Sequence, residues 1–204
     1  MEVIRSNEGM AYFKRDLQNH STCFTVIDQD RRAYYAFEIL NDNQAILYST
    51  AFIGLDEVIE EFLFYSGFIE AIRLERGEVI YRSPKKYQWQ EDLIRIQPIQ
   101  LYVSEEKYQQ LLSWIEKEED IKIPVTLVGE KVVALDGHTR LKVAEMLNFK
   151  KVTVYLEESD PYIEDFVRFC EMEHKASIVD LPIISKEKYQ KRWIEFCQSY
   201  FQTR

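Results

Sequence analysis

Residues 124–156, PVTLVGEKVVALDGHTRLKVAEMLNFKKVTVYL, carry the pattern that decides the fold of this chain. Two apolar runs, Val125 to Val128 and Val132 to Leu135, flank the pair Gly129-Glu130, a spacing that predicts two short strands joined by a tight turn. A polar loop follows, Asp136-Gly137-His138-Thr139-Arg140. The spacing of Leu141, Val143, Ala144 and Leu147 predicts a helix over Thr139 to Leu147, closed by Asn148, a residue suited to the left-handed position after a helix. A third strand is expected from Val152 to Leu156. Gly137 is one of six glycines in the chain, and it stands where the backbone leaves a strand and opens a helix. That geometry turns free amide groups toward an anion, so the loop is a candidate phosphate site.

Upstream of this stretch, Leu93 to Ile96 and Gln100 to Val103 read as strand segments interrupted by Pro98. Ser104-Glu105-Glu106-Lys107 has the serine and early acids of a helix start, with Tyr108, Leu111, Leu112 and Ile115 as its buried stripe. The charge run Glu116 to Asp120 reads as a solvated face and loop, not a metal cluster. Downstream, a helix is expected from Asp160 to His174, with Pro161 in its first turn and Tyr162, Phe166, Phe169 and Cys170 inward. A last helix is expected over Lys186 to Phe201, carrying Tyr189, Trp193, Phe196 and Cys197. Both helices are expected to cover the sheet.

The polar segment Ser83 to Asp92 reads as a linker, dividing the chain into residues 1–90 and 91–204. The first part begins with a weakly periodic helical stretch from Met1 to about His20, with Met10, Tyr12, Phe13 and Leu17 on its apolar face. Thr22 to Ile27, Ala33 to Leu40 and Ala45 to Thr50 then predict an antiparallel meander, turned at Asp28-Gln29-Asp30 and Asn41-Asp42-Asn43. A helix over Leu55 to Tyr65 and a hairpin of Ile69 to Leu74 with Val79 to Arg82 complete a small α+β unit. Its many Tyr and Phe residues alternate along strands, as core residues do, and no nucleotide or nucleophile motif occurs in it.

Apolar residues make up 46% and charged residues 30% of the 204, the balance of an ordinary folded protein. The formal net charge of -9 argues against nucleic acid as the main partner, because that contact depends on clustered Lys and Arg. No run approaches the roughly 18 apolar residues of a membrane span, and the amino terminus lacks the order of a signal peptide. A cytoplasmic protein with no membrane partner is the expectation. Cys23, Cys170 and Cys197 lack paired spacing, so neither a disulfide framework nor a cysteine-rich zinc site is indicated, and buried, unreactive thiols are expected. The lone residues His20 and His174 have no accompanying ligand types.

From Leu93 to Leu156 the chain resembles the ParB and sulfiredoxin superfamily, whose glycine-containing strand-to-helix loop ends in an arginine and binds nucleotide phosphates. The sequence DGHTR is most similar to the DGHxR form of ParB-like free-serine kinases and of uncharacterised bacterial ParB-like proteins. The resemblance implies a ParB/sulfiredoxin-like mixed-sheet domain with a C-terminal helical extension, following the small N-terminal antiparallel-sheet unit; the class is α+β. It assigns Gly137 and Arg140 to the phosphate. It makes Asp136 the acidic residue that handles a magnesium ion or a hydroxyl. Where sulfiredoxins carry a nucleophilic Cys, this chain has His138. No DNA-binding helix-turn-helix domain is expected from the residues that follow, and Gln97 and Gln100 stand where the resemblance implies the upstream catalytic Glu of free-serine kinases.

On this reading the amides of His138, Thr139 and Arg140 donate to phosphate oxygens, and the Arg140 guanidinium adds a charge-assisted fork. Asp136 and His138 are the candidate catalytic residues. Asp136 holds magnesium or accepts a proton, while His138 hydrogen-bonds phosphate or substrate in either charge state near neutral pH. The cofactor expected is a nucleotide (ATP, ADP or CTP) with magnesium. Function is expected to be nucleotide or phosphate binding with small-molecule phosphotransferase or nucleotidase chemistry, or else a binding module that keeps the fold without chemistry. The same residues also admit a purely structural reading, in which Asp136 caps the helix, Gly137 serves the turn and Arg140 pairs with Glu145 or with Asp136.

Overall fold

The structure is a computed structural model that describes residues 1–6, 11–13, 21–41, 43–113 and 115–203. The chain is α+β and divides into two compact units, Met1–Lys86 and Tyr87–Arg204. The break falls within the polar stretch. Its second half is no linker, however: Gln88–Asp92 is a strand that pairs with a later one.

In the first unit, among the described residues, strands β1 (Glu2–Arg5), β2 (Ser21–Asp28), β3 (Arg31–Asn41), β4 (Gln44–Ser49), β5 (Ala71–Leu74) and β6 (Val79–Arg82) form one sheet in sequence order. Helix α1 (Leu55–Tyr65) joins β4 to β5. Two expectations change. Glu2–Arg5 is a strand paired antiparallel with β2, not the start of a helix; Met10, Leu17, His20 and Asp42 lie outside the described residues. The sheet is also mixed, because β4 and β5 run parallel, which is what a helical crossover between neighbouring strands produces. The strand aromatics Phe24, Tyr35 and Phe37 are fully buried as their alternation predicts, whereas Phe52, Phe64 and Tyr65 are exposed; Phe62 of α1 is buried too, its ring stacked on that of Phe37 at 4.0 Å.

The second unit holds a mixed sheet of β7 (Gln88–Asp92), β8 (Ile96–Gln97), β10 (Lys122–Val128), β11 (Lys131–Ala134) and β12 (Lys151–Leu156), ordered β7-β12-β10-β11-β8. The turn at Gly129, with φ 60°, closes β10 and β11 into the expected hairpin. Helix α3 (His138–Met146) then carries the chain to β12, which runs parallel to β10. Asn148 takes the left-handed φ of 61° that ends the helix region. α3 buries Leu141, Val143 and Ala144 against Ile123, Val125 and Val154 of the sheet.

Elsewhere in this unit, two helices are shorter than their periodicity predicts, while the last helical run spans the expected residues. β9 (Val103–Ser104) leads into α2 (Glu105–Leu112), which ends before Ile115, although Ile115 is buried as expected. The following charge run is a loop in which the Asp120 carboxylate accepts the N–H groups of Glu116 and Lys117, 3.0 and 3.1 Å away. Helix α4 (Ile163–Met172) packs Ile163 and Val167 against Val133 of β11. The last helical run comprises α5 (Lys186–Tyr189), a wide π-type turn at Gln190–Ile194 and α6 (Glu195–Gln202). It packs on α4 through Phe166, Cys170, Tyr189 and Trp193. Thus α4 lies on the sheet, whereas the final run lies against α4. The three thiols are unpaired, and burial pushes the Cys170 thiol up to about 12.

Strand β13 (Ile183–Ile184) pairs parallel with β9, and each is followed within two residues by a helix. The sequences are alike: Val103–Gln109 is VSEEKYQ and Ile184–Gln190 is ISKEKYQ. In each copy the tyrosine falls on the inward side, Tyr108 and Tyr189 being buried.

Candidate functional site

The loop Asp136–Arg140 extends the hairpin beyond its ladder. The Leu135 N–H still donates to the Pro124 carbonyl at 2.9 Å, and within three residues the chain must leave the sheet to start α3. Gly137 makes that corner, with φ 80° and ψ 17°, a conformation that costs a side-chain-bearing residue about 1–2 kcal/mol. Space demands glycine as well. A Cβ there would lie 2.5 Å from Ile123 Cδ1 and 3.1 Å from both Nε and Nη2 of Arg140.

Arg140 folds back across this corner. Its Nη1 donates to the Lys122 carbonyl at 2.9 Å and its Nη2 to Asp136 Oδ2 at 3.1 Å. The two partners differ in exposure: the Arg140 side chain is 19% exposed and that of Asp136 is 70%. Of the two structural pairings open at the sequence level, the structure takes Asp136. Glu145 instead pairs with Lys142 at 2.6 Å. Among the described residues no side-chain cap of α3 is seen, and the first helical N–H to return to the loop is that of Leu141, on the Gly137 carbonyl at 2.9 Å. Asp136 therefore does not act as the cap. The opening amides of His138, Thr139 and Arg140 form the positive end of the helix.

His138 occupies a different environment from the one expected. It is 5% exposed, and its Nε2 accepts the Ile99 N–H at 3.0 Å. Burial pushes its pKa from 6.5 down to about 4, with Asp136 pulling it up and Arg140 down to lesser extents. The ring is a neutral acceptor whose proton sits on Nδ1. The expectation that the imidazole meets a ligand in either charge state changes in one respect: Nε2 already serves the backbone, and the site disfavours the imidazolium. Thr139 is half-buried on the same first turn.

Gln97 and Gln100, which stand where the resemblance implies a Glu, are also engaged. Gln97 is 4% exposed, and its amide donates to the carbonyls of Pro98 at 2.9 Å and Lys175 at 2.8 Å. Gln100 donates to the Tyr102 carbonyl. An amide nitrogen saturated by carbonyls is no general base. Of the residues singled out in the sequence, the structure brings Asp136, Gly137 and Arg140 into one contact set. It turns His138, Gln97 and Gln100 to structural tasks.

The sequence marks Tyr189 only as a core residue of the last helix, and the structure brings it within reach of the charge of Asp136. Tyr189 is buried, and its hydroxyl is pushed up to about 12 by burial first, then by Cys197 and by Asp136, whose charge it feels. Lys107 Nζ stands 5.9 Å from the centre of its ring. The repeated SxEKYQ pattern was the signal in the sequence that this part of the last helix sits beside α2. Tyr155, also buried, has its hydroxyl raised by desolvation, with Arg140 lowering it and Glu157 and Asp136 raising it.

Among the described residues no group of three or more His, Cys, Asp and Glu side chains converges to hold a metal, and Asp136 is the exposed carboxylate of the loop. One exposed carboxylate fits magnesium in the form in which that ion usually reaches phosphate sites, held by one or two carboxylates together with phosphate oxygens and water. A cavity of about 210 Å³ lies at the far end of α3, bounded by Leu93, Ile94, Glu145, Asn148 and Phe149, away from the loop. Among the described residues, no helix is long and apolar enough to cross a membrane.

No family model matches this chain, and no curated protein matches it. Among solved structures, a similar chain is protein Atu1540 from Agrobacterium tumefaciens, at 13% identity and a TM-score of 0.36. The match covers 50% of this chain and 64% of that one, so this chain spans less than two thirds of that protein. So slight a likeness bears on neither fold nor function.

Proposed function

We propose that the second unit is a ParB/sulfiredoxin-like module that binds a phosphate-bearing ligand of the nucleotide type (ATP, ADP or CTP) at Gly137–Arg140 and performs no chemistry on it. The resemblance of the DGHTR stretch supplies the phosphate. The observation that favours binding over catalysis is the bond from the Ile99 N–H to His138 Nε2, joined by the carbonyl-saturated amide of Gln97. With both side chains committed, neither is free to activate a nucleophile. In this reading the opening amides of α3 and the Arg140 guanidinium hold phosphate oxygens, and magnesium arrives with the phosphates, against Asp136.

The phosphotransferase or nucleotidase reading rests on Asp136, whose carboxylate is 70% exposed beside the loop glycine and is the group there that can take a proton from a hydroxyl. A thermal-shift series with ATP, ADP, CTP and GTP, each with and without magnesium, tests both readings. A ligand at about one hundred times its Kd stabilises the fold by ~2.7 kcal/mol. The expected result is a shift with at least one nucleotide that disappears in Arg140→Ala, with no product formed on long incubation. No shift with any nucleotide, or one that survives Arg140→Ala, ends the phosphate-site proposal. Product formation abolished by Asp136→Asn establishes the enzyme instead.

A further inference from the structure

We infer that Asp136 is a built-in competitor for the phosphate position, a carboxylate that occupies the Arg140 guanidinium until a phosphate displaces it. The inference rests on the phosphate-binding reading of this loop and adds its regulation. Arg140 is held at two points of unequal character. The Lys122 carbonyl takes Nη1 at 2.9 Å from a strand of the central sheet, a fixed anchor that orients the guanidinium plane. Asp136 Oδ2 takes Nη2 at 3.1 Å from a side chain that is 70% exposed and stands directly before the loop glycine. The plane lies close over Gly137, with Nε and Nη2 both 3.1 Å from where a Cβ would be.

A carboxylate and a phosphate present oxygens of similar geometry to a guanidinium. The outward partner, in water, contributes little to holding the pair together. Exchange therefore needs only a rotation of the Asp136 side chain, because the Lys122 anchor keeps Arg140 in place. The carboxylate that leaves is then free to meet a cation that accompanies the phosphates. Two signs of effect follow from one residue. Without a divalent ion Asp136 opposes phosphate by competing for Arg140 and by repulsion; with the ion it faces a positive charge and that opposition falls.

Titration calorimetry with ATP on the full chain tests this, in EDTA and in magnesium, for wild type, Asp136→Asn, Arg140→Ala and Arg140→Lys. In EDTA, Asp136→Asn is expected to bind ATP about two- to ten-fold tighter than wild type, the range corresponding to loss of an exposed ion pair and a like charge. In magnesium the gain is expected to shrink or reverse. Equal or weaker ATP binding by Asp136→Asn in EDTA, while wild type binds and both Arg140 variants lose binding, overturns the competitor and leaves the phosphate-binding reading standing. No ATP binding by wild type or Asp136→Asn, both folded by circular dichroism, overturns both. Arg140→Lys keeps a cation, so a loss confined to Arg140→Ala in an unfolded sample is not mistaken for a binding effect.

Discussion

The Nε2 of His138 accepts the backbone N–H of Ile99 at 3.0 Å, joining the first residue of α3 to the segment that follows β8. The imidazole is buried, so the bond exists only while the ring is neutral. Protonating Nε2 removes this acceptor from the Ile99 N–H.

Acid should therefore undo part of the fold through His138. Its pKa is near 6.5 when unfolded and about 4 when folded, so between those values the unfolded chain binds more protons. The stabilising contribution is complete above pH 6.5 and is lost as pH falls toward 4, about 3 kcal/mol in all. Urea unfolding of wild type and His138→Gln from pH 7.5 to 4.5 checks this. The wild type should lose stability more steeply than the variant; parallel curves would remove His138 from the acid response.

Replacing Gly137 by Ala should cost roughly 2–3 kcal/mol, combining a left-handed backbone with a Cβ forced against Ile123 and Arg140. Gly129 is the control. It has φ 60° with nothing within 4 Å of a built Cβ, so Gly129→Ala should lose only the backbone share, about 1–2 kcal/mol. Equal losses in chemical denaturation would mean that the packing around Gly137 contributes nothing.

Gln97→Glu should destabilise the second unit by about 2–4 kcal/mol at neutral pH. The amide faces two carbonyls, and a carboxylate there would be buried against acceptors with no donor. The variant's denaturation midpoint should recover as pH is lowered and the acid regains a proton. A neutral effect at pH 7 would show that the segment readily moves aside.

Tyr108 makes the opposite case. It is 3% exposed, and among the described residues its hydroxyl has no hydrogen-bond partner. Tyr108→Phe should be neutral or stabilising by up to about 1 kcal/mol, since an unsatisfied buried hydroxyl is removed without loss of ring packing. A loss above that value would reveal a partner for the hydroxyl.

What was legible in the sequence follows from the range of the interactions involved. Hairpin, loop and helix between Pro124 and Leu156 were readable because periodicity, turn glycines and the closing Asn148 act within a few residues. The strand Gln88–Asp92 was not, since QWQED has no apolar alternation and becomes a strand only by pairing with β12, some sixty positions later. β1 was missed for the same reason, because its pairing to β2 fixes it. At the site, the positions of Gly137 and Arg140 were readable from spacing. The engagement of His138 by Ile99 and of Gln97 by Lys175 was not, being made across thirty-nine and seventy-eight positions.

By itself, then, the sequence determined where a strand must turn into a helix and that a glycine and an arginine stand at that corner, because local backbone sterics and side-chain period need no partner. Tertiary structure alone decided which polar groups there remain available. Burial makes an imidazole neutral, carbonyls saturate an amide, and an exposed carboxylate takes the outer face of a guanidinium. These outcomes depend on solvent access and on groups brought together from distant parts of the chain.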